Sequence, residues 1–201
     1  PGWSQDTLTG AAAASTGIIK TDSFSSAIAA FGVTNSTLYE GSTSVGTITG
    51  RALHFTETLI GNVGHILIKS SDGTGWYYVA GSKDVTAYTA DGNNSTTITD
   101  IKIAGANSTA GLYIGQKLTA ASNITAGTRI VSIDSGAFTA VLDTATTGGA
   151  FADLAITKEA VAKIIDADFV TSGSIVTAFV EMDGYQFYGN ADGYIYNSDL
   201  N

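Results

Sequence analysis

Four Asp-Gly dipeptides, Asp72-Gly73, Asp91-Gly92, Asp183-Gly184 and Asp192-Gly193, punctuate this chain, and the β-branched and aromatic residues come in short runs between such breaks. Glycine accepts the positive φ that a two-residue hairpin turn demands, so each dipeptide is a place where the chain reverses. Runs of that length suit strands and are too short for stable helices. Composition points the same way. Ser and Thr make up 47 of the 201 residues, with 24 Gly and a single Pro. These residues disfavour long helices and leave a β-rich globular domain as the expected class.

Strand-like units are expected at 45–49, 52–58, 63–69, 76–80 and 85–89 as an antiparallel meander, and 185–189 with 194–197 as a terminal hairpin. Residues 1–22 read as an irregular lead-in. Phe24, Ile28 and Phe31 recur at helical spacing after Ser23, which predicts two helical turns ended by Gly32. From about Asp91 to Ile156 aromatic residues thin out and Thr, Ala, Gly and Ile dominate, the texture of an insertion with strands at 96–103, 112–118, 129–134 and 138–142. The expected organisation is therefore 1–90 as lead-in and meander, 91–156 as an inserted β-domain, and 157–201 as a return to the first sheet. Residues 158–165 fit a helix through Val161, Ile164 and Ile165, or a strand through Val161, Lys163 and Ile165. The start at Pro1 without Met, and the stop just after a strand-like run, suggest a piece of a longer polypeptide.

The function classes narrow by exclusion. A net charge of -9 opposes general nucleic-acid binding, and the acids concentrate at the end: residues 164–201 hold six acids and no Lys or Arg. No 18-residue apolar run is present, so no membrane partner is expected. Without Cys, and with His54 and His65 both inside strand-like alternation, thiol, zinc and serine-histidine chemistry lack their residues. No phosphate-binding glycine motif occurs. Asp166, Asp168, Glu181 and Asp183 are close enough in sequence to offer a carboxylate pair for a glycan hydrolase or lyase. Solvated turn acids are the commoner explanation of such a group. Asn190, Asp192, Asn197, Asp199 and Asn201 crowd oxygen ligands together, but not at calcium-loop spacing. Trp76, Tyr77 and Tyr78 would stack on sugars in a carbohydrate-binding adhesin or receptor-binding fibre, or form core and cross-strand pairs. No catalytic residue, metal ligand or cofactor is assigned.

Two stretches carry a resemblance. Residues 111–119, 123–134, 138–142 and 145–148 resemble a β-repeat of bacteriophage virion proteins, in which a strand, a glycine turn, a strand ending near Ser-Ile-Asp and a last strand succeed one another. Residues 161–169, 177–185 and 193–201 resemble the packaged-DNA stabilisation, or tail hub and nozzle, proteins of short-tailed phages, and 61–80 is similar to the preceding pattern in that family. The sequence departs from the repeat at 120–123, where its usual glycines are missing. The resemblance implies an all-β fold: a propeller-like antiparallel meander, of which this chain is a portion, with an inserted small β-barrel or sandwich-like domain. It also implies a non-enzymatic structural protein in the phage tail, forming a homo-oligomeric ring with other virion proteins. Double-stranded DNA would pass through that ring without specific binding during ejection. Asp166, Asp168, Glu181, Asp183, Asp192 and Asp199 would then line the channel and repel phosphates.

Overall fold

A computed structural model describes residues 15–21, 29–34, 36–40, 43–50, 52–60, 63–79, 82, 87–165, 176–182, 185–190 and 192–197. Every regular element among them is a strand, and the strand pairs described below are antiparallel. The chain divides into two compact units, Pro1–Lys83 with Ser172–Asn201, and Asp84–Thr171.

In the first unit, β1 (Ser15–Thr21), β2 (Ala29–Thr34), β3 (Thr37–Glu40) and β4 (Thr43–Thr47) form a four-stranded sheet in sequence order. Next, β5 (Ala52–Ile60), β6 (Val63–Ser70) and β7 (Gly75–Val79) pair as a meander. Consecutive residues Ile66, Leu67 and Ile68 of β6 are all buried, so both faces of this central strand are covered. Trp76 and Tyr78 of β7 are buried too. The β6–β7 turn follows from Asp72-Gly73: Gly73 takes φ 85°, and the Asp72 carboxylate accepts from the Thr74 backbone N–H (3.0 Å) and hydroxyl (2.6 Å). Thr74 Oγ1 in turn accepts from the Trp76 indole (2.7 Å), tying the turn to the core ring. Desolvation raises the Asp72 pKa, but the hydrogen bonds from Thr49, Thr74 and Ser70 outweigh it and leave the carboxyl below its ordinary value. Finally β15 (Val176–Met182), β16 (Tyr185–Asn190) and β17 (Ile195–Asn197) form a three-stranded sheet.

The second unit is built on β8 (Tyr88–Asn93), β9 (Thr97–Ile103), β10 (Ala106–Asn107), β11 (Gln116–Ala120), β12 (Ile130–Asp134), β13 (Thr139–Leu142) and β14 (Ala150–Lys163). Its sheet runs β12-β13-β9-β8-β14, with β10 on β9 and β11 on β14. The 14-residue β14 pairs with β8 through its first half and with β11 through its second. Tyr88, Ile98, Ile101, Leu118, Ile130 and Leu142 form the centre of the core. A single bridge, Lys117 to Arg129, brings β11 to the start of β12, but no ladder continues from it, so the barrel is not closed.

Register irregularities occur in four strand pairs of this unit, and the two bulges against β8 are centred on aspartates. Ile98 and Ile101 are both buried although three positions apart, because Asp100 takes φ 52° and the β8–β9 register slips there. Asp153 takes φ 48° where the β14–β8 register slips between Phe151 and Leu154. Asp tolerates this left-handed conformation better than most residues, which is why the bulges fall on these two positions.

Several expectations are corrected. Residues 29–31, placed at the end of a helix by spacing, lie in β2; residues 22–28 are outside the described residues. The lead-in contains β1, paired along β2. Asp91-Gly92 is not a turn but the interior of β8, because Gly92 sits opposite Phe151, whose ring occupies the space a side chain would need. Residues up to Lys163 in the ambiguous stretch are strand, since β14 has a partner on either side.

Candidate functional site

The bulges create the one cluster of three acids among the described residues. β9 and β14 flank β8, and their bulges present Asp100 and Asp153 beside Asp91, so that one carboxylate oxygen from each lies within 4.8 Å of the others. Asp91 Oδ1 also accepts the Asp153 backbone N–H at 2.8 Å, fixing the bulge. The Lys102 ammonium sits among them, 2.5 Å from Asp100 Oδ2 and 3.1 Å from Asp153 Oδ1. The hydrogen bonds that Lys102 donates to Asp100 and Asp153 raise its pKa well above the ordinary value. Lys102 already occupies the place a cation would take, so the cluster is an ion-pair network with two negative charges in excess.

Beside it lies an open depression of about 330 Å³, lined by Asp91, Asn93, Ser95, Thr97, Thr99 and Phe151 over the backbone of Gly92. A third feature is the outer face of β15-β16-β17. The register sets Ala178, Gly189 and Ile195 on one rung and Val180, Phe187 and Asn197 on the next. Val180 is 55% exposed, Met182 59% and Ile195 75%, and Tyr194 beside them is also exposed. No charged residue occupies these positions.

The structure separates the candidates that the sequence grouped. Trp76 and Tyr78 are buried at 1% and 0% exposure, and Tyr77 is half-buried beside the His65 ring at 6.2 Å. A ring without an accessible face cannot stack on a sugar, so Trp76 and Tyr78 are core residues. Tyr78 further donates to Glu40 Oε2 at 2.9 Å. Of the acids expected to line a channel, Asp192 is exposed in the β16–β17 turn, and Glu181 lies in β15 opposite Gln186. Asp166, Asp168, Asp183 and Asp199 lie outside the described residues. Asn190, grouped with possible calcium ligands, spends its Oδ1 on the backbone N–H groups of Asp192 (3.1 Å) and Tyr194 (2.8 Å), a turn-forming role.

Sequence reading missed the Asp91, Asp100 and Asp153 cluster because its members belong to three strands and meet only through two bulges. The usable signal was Asp inside a strand-like run, where this residue is disfavoured.

Fold and sites define an all-β protein of antiparallel sheets, in which no helix of the described residues is long and apolar enough to cross a membrane. Comparison with protein-family models, with curated proteins and with solved structures gives no match to the chain.

Proposed function

We propose that the chain is a non-enzymatic structural component of a bacteriophage tail, part of a hub or nozzle ring around the DNA exit channel, with neighbouring copies packed through the β15-β16-β17 face. The observation that carries the reading is that face: adjacent exposed apolar side chains with no charge among them. Copies of a chain with net charge -9 repel one another, and an uncharged apolar face is where two can approach most closely. The four-stranded β1-β2-β3-β4 sheet and the three-stranded meanders, each in sequence order, suit the blades of a propeller-like assembly. The base-free end of the sequence suits a lumen through which a duplex slides.

Two measurements test this. Sedimentation of the full chain and of Val180→Lys/Ile195→Lys should give a concentration-dependent oligomer for the first and a monomer for the second; a monomer in both overturns the packing. Electron microscopy of virions carrying a tag on this chain should place the label in a ring at the tail vertex; label at fibre tips, or none, overturns the location.

A further inference from the structure

We propose that the depression over the β8–β9 hairpin binds a single neutral pyranose ring, such as the terminal sugar of a surface glycan. Its walls are held in place. Ser95 Oγ accepts the Thr97 N–H (3.1 Å), the Ser95 N–H donates to Thr146 Oγ1 (3.1 Å), and that hydroxyl donates back to the Ser95 carbonyl (3.1 Å). Asn94 Oδ1 accepts the Gly149 N–H at 2.9 Å, so the hairpin tip is fastened to the loop before β14. Asp91 is oriented from behind by the Asp153 N–H at 2.8 Å on one oxygen. A site fixed in this way loses little conformational freedom on binding.

What the walls present selects the ligand. The second oxygen of Asp91 offers an acceptor, the Asn93 amide and the Thr97 and Thr99 hydroxyls offer donors and acceptors, and Phe151 offers an apolar ring. Adjacent hydroxyls with an apolar C–H face match that set. Anions are disfavoured, because Asp91, Asp100 and Asp153 lie together and no Lys or Arg lines the depression. The volume of about 330 Å³ stands at the lower end of small-molecule sites, about 300–1,000 Å³, and admits one ring. At about 0.3 kcal/mol per non-hydrogen atom, a monosaccharide should bind with Kd on the order of millimolar.

This proposal does not depend on the tail reading. The test is saturation-transfer and amide-shift NMR of the full chain with the methyl pyranosides of glucose, galactose, mannose and N-acetylglucosamine. Binding of at least one, with shifts centred on Asn93, Thr97 and Thr99, is expected. Asp91→Asn keeps an oxygen for the Asp153 N–H and should weaken binding about tenfold or more, as loss of a charged acceptor does. Thr99→Val, at an exposed position, should weaken it without altering the fold. No transfer to any of the four sugars, shifts confined to another surface, or unchanged affinity in both variants would overturn the proposal.

Discussion

Replacing Gly115 by alanine probes the closest backbone approach in the second unit. Gly115 has φ +83°, and a Cβ there would lie 1.9 Å from the Lys163 carbonyl oxygen at the end of β14. The left-handed backbone alone costs a non-glycine residue about 1–2 kcal/mol. Relieving the overlap requires β14 to move by roughly 1 Å, a shift that the packed interior resists. Such a shift breaks the Lys163 N–H to Gly115 O bond (3.1 Å) and disturbs the Arg129 Nη1 bond to the same carbonyl (2.8 Å). With about 0.5–1.5 kcal/mol for the first and about 1.5–3 for the charged one, the expected total is about 4 kcal/mol. Gly105→Ala supplies the control, because Gly105 has φ +81° and nothing within 4 Å of its Cβ position, leaving about 1–2 kcal/mol. Urea unfolding by circular dichroism, with hydrogen exchange at the Ile101, Leu118 and Leu142 amides, reads the second unit. Equal losses for the two alanines would refute the close approach.

Gly92→Ala should destabilise the second unit, since its Cβ would meet the Phe151 ring at 2.4 Å; Gly92→Ala/Phe151→Ala should cost clearly less than the sum of the single changes in a double-mutant cycle. Asp72→Asn should lower stability at neutral pH. Because the folded pKa lies below the ordinary 3.8, the Asp72 contribution is present above 3.8 and disappears as pH falls through the lower value, so parent and variant should converge in acid unfolding curves. Lys102→Met should also destabilise, more in low salt than in high. The Lys102 pKa is raised, so its contribution is complete below 10.5 and is lost only as pH rises through the higher folded value; an effect that persists unchanged in strong salt would count against the ion-pair network.

Much of the strand pattern was legible because alternation and turn chemistry agree. Ile130–Asp134, Thr139–Leu142 and the β16–β17 hairpin fall within a residue or so of their expected places. Sequence reading failed where a partner distant in the chain decided the outcome. Gly92 reads as a turn until Phe151 is known to lie against it, and the spacing of Phe24, Ile28 and Phe31 gives no hint that residues 29–34 pair with both β1 and β3. The candidate sites were less legible still. Trp76 and Tyr78 looked available for a ligand but are interior, whereas the depression needs β8, β9 and Phe151 of β14 together. Exposure of Val180, Met182 and Ile195 cannot be read from their identities, since the same alternation describes a buried face.

The position of β14 also sets a schedule for synthesis. The β8–β9 and β12–β13 hairpins join neighbours in sequence and can form as they leave the ribosome. Ile156 must find Tyr88, and Ala162 must find Gln116, only after the rest of the second unit has emerged. From Asn93 to Lys163 is about 70 residues, or roughly 4–14 s at about 5–20 residues per second. During that interval the side of β8 and the side of β11 that β14 will later cover offer unpaired backbone to any strand nearby. A nascent chain stalled before Ala150 should therefore aggregate or recruit a chaperone, and release should come with the appearance of one strand.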